Sequence, residues 1–297
     1  MLTNIRKKIK EIPSYFYRNY IAPRIYGTLD RKILSKNLDL KNKYAGRRCF
    51  IIGGGPSIAN INLSQLSHEY TFVMSEFEKN LQYRSLAPKF HIISDSNYFT
   101  EGGTEYWPRR FKEKDRDIPT DTTMIINLAA RSFIKKYDLF KWHRTYYVGT
   151  QGIFTDNLPF NINLDRYIPC PKNSVLMCIL AAAWMGFNEI YLLGCEHSFL
   201  AQPLGKNKSL GFNHSYEDET SKLDITDNEV LKKYISPKEL NFTYEMNMAS
   251  MLQLFRSYRL FYAKARKTHP DLKIFNATPN SFLDVFPMIN FEDIKGL

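Results

Sequence analysis

The chain has 297 residues, 44% hydrophobic and 24% charged, which suits one large α/β core or such a core with an appendage. No run approaches the roughly 20 apolar residues of a membrane span, and Met1–Arg6 lacks the apolar stretch and small-residue site of a secretory leader. The net charge of +11 is concentrated at the start: residues 1–48 carry a net +10, the remaining 249 a net +1.

Residues 1–46 therefore read as a basic N-terminal extension, in which Tyr15, Phe16, Tyr17, Tyr20 and Tyr26 sit among the cations. Cations beside interfacial aromatics suit an anionic membrane surface, at about 1 kcal/mol per charge. Nucleic acid is the rival partner and is not expected; a solvated tail is the plain alternative. Pro13 and Pro23 would interrupt any helix there. A domain over 47–297 follows. Its first strand, Arg48–Ile52, runs into Gly53-Gly54-Gly55-Pro56-Ser57, and further strands are expected at Tyr70–Met74, Phe90–Ser94, Thr123–Ile126 and Thr145–Val148. Helical patterns cover Ala129–Phe140 and Ser174–Met185. Glu189–Leu193 reads as a strand, about 245–268 as a long helix, and Lys273–Asn276 as a late strand. Strands alternating with helices predict an α/β fold of Rossmann type, a mostly parallel sheet with helices on both faces. Ligands of such sheets gather at the carboxyl ends of the strands. Residues 200–243, polar and containing Asn213-His214-Ser215-Tyr216, read as a lid or binding segment, with a disordered stretch as the alternative.

Three glycines after a strand let a backbone approach a ligand, with amides turned to phosphate oxygens. The turn matches neither GxGxxG nor GxxxxGK[ST], which counts against dinucleotide and P-loop readings, and a tight structural turn explains it equally well. Cys49, Cys170, Cys178 and Cys195 form no CxxC pair and lie among apolar neighbours. They read as buried free thiols in a reducing cytoplasm, with no zinc site. Asp115-Arg116-Asp117 has carboxylates at metal-binding spacing but lies in the charged run 112–117, which reads as a solvated surface turn. No metal ligand set is expected. Asp95, after the strand Phe90–Ser94, is placed to act as a base or to accept from a sugar hydroxyl; an N-cap is the plain alternative. His214 titrates near neutrality and is a candidate general base, with a solvent-exposed loop histidine as its rival reading. His197, after a strand end, is placed to touch a nucleotide, with a satisfied structural histidine as the preferred reading.

Three blocks carry a family resemblance. Ile51-Ile52-Gly53-Gly54-Gly55-Pro56-Ser57 with Leu63, Leu66 and Tyr70-Thr71-Phe72-Val73 is the first. Asn173-Ser174-Val175-Leu176-Met177-Cys178 with Met185 to Glu196 is the second, and Lys273 to Ser281 the third. In this order they resemble the bacterial family 42 sialyltransferases, and more closely the proteins grouped with the 6-hydroxymethylpterin pyrophosphokinase-like domain. The resemblance implies a GT-A-like Rossmann fold and an inverting, metal-independent glycosyl transfer without a resident cofactor. The donor would be a CMP-linked acidic sugar (sialic acid, Kdo or a related nonulosonate) and the acceptor a surface glycan or lipid-linked glycan. It places the nucleotide on Gly53, Gly54, Gly55, Pro56 and Ser57, on Ser75, on Asn173 and Ser174, on Gly194 and Glu196, and on Asn280 and Ser281. Tyr216 falls at the family's lid tyrosine, a phenol that stays protonated at neutral pH and donates to the departing phosphate.

The chain departs from the family in having Gly54 and Ser75 where the family has Asn. It also has no histidine in Asn241-Phe242-Thr243-Tyr244-Glu245, where the family's catalytic histidine lies. The base then falls to His214 or Asp95. A magnesium-dependent pyrophosphokinase and a degenerate nucleotide-binding domain are the alternative functions. A cytoplasmic enzyme, peripheral at the inner face of the membrane, is the expected setting, and self-association is left open.

Overall fold

Seven short apolar runs of the sequence become seven strands: β1 Arg48–Ile52, β2 Thr71–Met74, β3 Phe90–Ile93, β4 Thr123–Asn127, β5 Thr145–Val148, β6 Glu189–Leu193 and β7 Lys273–Asn276. The structure, a computed structural model, describes residues 14–95, 99, 106–156, 163–198 and 243–297. The strands form one sheet in the order β5-β4-β3-β2-β1-β6-β7, every pair parallel. Each matches its expected run to within a residue at either end, the usual uncertainty of strand ends. This is the expected α/β fold.

The strands read as unbroken apolar runs because both faces of the sheet are covered. Side chains alternate between faces: Cys49 and Ile51 enter one core, Phe50 and Ile52 the other. Large rings fill the first core, with Phe72 and Phe90 centroids 4.4 Å apart and Tyr44 stacked on Phe187 at 5.0 Å. The high aromatic content is therefore accounted for largely by packing.

The longer helices are α1 Ala22–Leu29, α2 Tyr106–Asp117, α3 Arg131–Lys136, α4 Ser174–Trp184 and α5 Tyr244–Thr268. α4 is apolar all round and buried from Val175 to Trp184, as a helix enclosed by a core must be. It packs across β1, β2 and β3, running back from their carboxyl ends. The 25 residues of α5 follow the N-cap Thr243, whose hydroxyl accepts from the Met246 amide at 3.2 Å.

Several expectations change. The helix expected over Ala129–Phe140 contracts to α3, preceded by a 3-10 turn, Leu128–Ala130. The chain leaves it through left-handed Asp138 and Phe140, at φ 51° and 54°. The charged run 112–117 is the second half of α2, not a surface turn. One turn apart, Arg110 and Lys114 share a side, and Lys114 is only 1% exposed between Glu76 and Glu78. Asp115 lies 3.4 Å from His143, and Asp117 pairs with Arg116. Cys170 is exposed, whereas Cys49, Cys178 and Cys195 are buried as expected.

The N-terminal extension, from residue 14, packs against the domain. Leu34 and Leu40 are buried, and Asn37 Nδ2 donates to the Tyr147 and Leu164 carbonyls at 2.8 and 2.5 Å. Trp184 Nε1 closes the joint by donating to Asn37 O at 2.9 Å. Charge counting hid this, because the buried anchoring residues Leu34, Asn37 and Leu40 are few and neutral. No helix of the described residues is long and apolar enough to cross a membrane. Residues 200–242 of the expected lid, with His214 and Tyr216, lie outside the described residues.

Candidate functional site

The chain winds outward from β1 to β5 and then returns beside β1 as β6. Such a reversal is where open α/β sheets take ligands, in the crevice at the carboxyl ends of the strands; here the loops after β1 and β6 pass close together across it. The expected glycine turn lies here, beside Gly194 and Glu196. Gly53 N donates to Leu193 O at 2.7 Å, and Gly55 N to Gly194 O at 3.0 Å. A Cβ on Gly53 would run into the Gly194 carbonyl and stand 3.2 Å from Cys195 Sγ; one on Gly55 would run into the Glu196 carboxylate. The glycines are required by the crossing of two backbones, whatever the crevice holds.

Glu196 occupies a position expected for an anion. Its Oε1 accepts from Ser57 N at 2.7 Å, on the first turn of the 3-10 helix Pro56–Asn60. Its Oε2 and the Ser57 hydroxyl are buried and have no hydrogen-bond partner among the described residues. Two buried polar atoms without partners are costly unless a ligand or water meets them. Ser281 is used internally: its hydroxyl donates to Cys195 O at 2.6 Å and accepts from Leu283 N at 3.1 Å. Asn280, beside it, is exposed in a left-handed conformation at φ 54°.

The second group lies on the same sheet edge, at the start of α4. Ser174 Oγ is 2.7 Å from Ser94 Oγ and 3.3 Å from Ser75 Oγ, and Asp95 follows Ser94 directly. Ser75 is held left-handed at φ 55°, a strained state for a residue with a side chain. Its carbonyl accepts from His91 Nε2 at 3.0 Å and Lys114 Nζ at 2.6 Å. Lys114 in turn lies 3.1 Å from Glu76 and 2.6 Å from Glu78, and Arg110 reaches the same two carboxylates. Burial acts to raise Glu76, but Lys114, Arg110 and Lys79 outweigh it and hold the carboxyl well below its usual range. Burial, reinforced by Lys114, lowers His91 to about 3. The ring is thus neutral, donating from Nε2 and accepting the Tyr83 hydroxyl at Nδ1.

Asn173 caps α4: its Oδ1 accepts from Leu176 N at 2.9 Å and from the Tyr258 hydroxyl at 3.0 Å, and its Nδ2 lies 3.1 Å from His197 Nε2. His197 Nδ1 donates to Cys195 O at 3.0 Å. Burial lowers His197 to about 4, so it stays neutral and accepts at Nε2. The histidine is structural, as expected. With the Asn173 side chain committed, the Ser174 hydroxyl and the first-turn amides of α4 are what the helix start presents to a ligand.

The expected residues thus form two neighbouring groups. Gly53–Ser57, Gly194, Glu196 and Ser281 build the crevice; Ser75, Ser174 and Asp95 build the serine corner. Sequence reasoning missed Ser94 as a site residue, although it directly precedes Asp95 at a strand end. It also missed the ion cluster under Ser75, whose four members come from two separate segments. No protein-family model matches the chain, and no curated protein matches it.

Proposed function

We propose that the chain is a glycosyltransferase that uses a nucleotide-activated sugar, with a CMP-linked acidic sugar as donor. The observation that carries this reading is the convergence of Ser75, Ser94 and Ser174 on the amino end of α4, with Asp95 alongside. Hydroxyls and unpaired amides at a helix start suit phosphate oxygens, and the helix dipole favours their charge. In the adjoining crevice, Glu196 Oε2 suits a ribose hydroxyl or a base amino group. In this reaction the acceptor hydroxyl attacks the anomeric carbon as the bond from that carbon to the phosphate oxygen breaks. The acceptor proton passes to a base, Asp95 or His214, and CMP leaves with the electron pair of the broken bond. The serine hydroxyls and α4 amides stabilise charge on the departing phosphate. Exposed Tyr15, Phe16, Ile25 and Leu29 beside Arg24, Arg31 and Lys32 support a peripheral place at an anionic membrane surface, near a glycan or lipid-linked acceptor.

A thermal-shift panel of CMP, CDP, UDP, GDP and ATP, each with and without Mg²⁺, tests the reading. A ligand at 100 times its dissociation constant adds about 2.7 kcal/mol. Stabilisation by CMP or CDP without added metal is the expected result. Stabilisation by ATP only with Mg²⁺ would replace the reading with a pyrophosphokinase, and silence across the panel with a degenerate domain or a transferase of a different donor.

A further inference from the structure

Beyond the serine corner, the same edge of the sheet opens into a cleft of about 1270 Å³ between the N-terminal helices and the loops after β4 and β5. Its walls are built rather than incidental. Asn19, 7% exposed, accepts from Ile153 N at 2.8 Å and donates to Tyr15 O at 2.8 Å, tying the helical segment to the β5 loop. Gly152 lets the two backbones meet: at φ 78° it stands so close that a Cβ would lie 3.1 Å from Arg18 O.

The lining is strongly one-signed. It holds Arg18, Arg131, Lys135 and Lys136 against one carboxylate, Asp30, and that carboxylate already accepts the Tyr167 hydroxyl at 2.7 Å. Arg18, Arg131 and Lys135 make no ion pair with any described residue. Cations around a concave, partly apolar surface focus a positive potential into it. Their mutual repulsion is relieved when an anion enters. The cleft also communicates with the serine corner. Asn127, in its wall, donates to Ser94 O at 2.9 Å and lies 3.4 Å from Thr150 Oγ1, another wall residue.

We infer that this cleft is the acceptor subsite and binds a phosphate or diphosphate group carried by the acceptor, held by Arg18, Arg131 and Lys135. The word acceptor rests on the transferase reading; the oxyanion site rests on the cleft alone. The phosphate belongs either to a lipid headgroup or to a soluble phosphorylated glycan. Arg and Lys on an oxyanion form charge-assisted hydrogen bonds, roughly twice as strong as neutral ones.

The test uses the full chain, the exposed-residue double variant Arg131→Gln/Lys135→Gln, and the control Lys267→Gln, which removes a charge outside the cleft. Calorimetric titration with inorganic pyrophosphate is expected to show saturable binding by the wild type and the control. The double variant is expected to bind about tenfold more weakly, the loss of about 1.4 kcal/mol of contact energy, with an unchanged thermal shift by CMP. Cosedimentation with phosphatidylcholine vesicles, with and without phosphatidic acid, then identifies the source. Loss of phosphatidic-acid-dependent binding in the double variant supports a lipid-borne phosphate; retained vesicle binding with lost pyrophosphate binding supports a soluble acceptor. Equal pyrophosphate affinity in all three proteins, or no saturable binding by the wild type, would overturn the inference. So would a CMP response that falls in step with pyrophosphate, which would assign these cations to the donor site. A wild type that ignores CMP but shows the pyrophosphate pattern would sink the donor reading and leave the cleft standing.

Discussion

The crevice between β1 and β6 and the serine corner at the start of α4 lie on one sheet edge but are made differently. The crevice is closed from within: its glycines admit a neighbouring backbone, and Glu196 takes the Ser57 amide. The corner is polar and only partly buried, and its strain at Ser75 is held by an ion cluster beneath it. Glycines after a strand are thus no proof of a bound phosphate, since close passage of two loops requires the same residues. The serines that meet after β2, after β3 and at the start of α4 contact one another instead, with Ser174 Oγ 2.7 Å from Ser94 Oγ and 3.3 Å from Ser75 Oγ.

Removing the support of the corner is the most severe way to break this contrast. Lys114→Met leaves Glu78 facing Arg110 and Glu76 facing Arg110 and Lys79, and breaking a buried ion cluster costs about 3–5 kcal/mol. Urea denaturation reads the loss; a shift below about 1 kcal/mol would mean that the corner does not depend on the cluster.

Acid pH should strain both regions through their buried histidines. His197 behind the crevice and His91 behind the corner titrate at about 4 and about 3 in the folded state. Both lie below the ordinary histidine value, so the unfolded chain takes up protons first as pH falls. The stability of the neutral rings is therefore full above roughly pH 6.5 and is lost on acidification, by about 3 kcal/mol for His197 at pH 4. Glu76 acts in the same direction at lower pH, since its folded value is depressed. Denaturation midpoints followed from pH 7 to 4 should fall, and His197→Gln should flatten the profile. An unchanged slope in that variant would remove His197 from the account.

Gly53→Ala probes the closed region directly. The added methyl meets the Gly194 carbonyl, which is backbone and yields poorly, so a destabilisation of about 2 kcal/mol is expected. A neutral result would show that the two loops can part and that the crevice has room for a ligand backbone.

The smallest effect on stability belongs to Ser174→Ala, which removes one partly buried hydroxyl pair for about 1 kcal/mol or less. Its value lies in the ligand readout: the CMP-induced thermal shift should shrink while folding is nearly intact. If the shift persists in full, the nucleotide phosphate is not held at the corner, and the contrast between the two regions loses its functional half.

Much of the fold was legible in the sequence because parallel strands buried on both faces must be continuous apolar runs, and Arg48–Ile52 and Glu189–Leu193 are nothing else. The start of α4 was legible too, since Asn173 before an apolar run is a cap by its side-chain chemistry. Gly53, Gly194 and Glu196 were marked as neighbours on the strength of strand ends and resemblance. The tertiary structure alone decided what these residues do there. Whether a glycine makes room for a ligand or for Gly194 O depends on the strand placed beside it, and that order is a long-range property. Lys114 read as a solvated cation because charge is ordinarily cheapest in water. Only the meeting of α2 with the loop after β2 supplies the two carboxylates that make its burial tolerable. The N-terminal helices likewise read as a charged tail, since net charge outweighs a few apolar letters until Asn37, Leu34 and Leu40 find their places against the sheet. Local pattern determines which elements form, through side-chain periodicity and capping. The partner of each polar group is set by which elements the fold brings side by side, and that is where this protein's candidate chemistry lies.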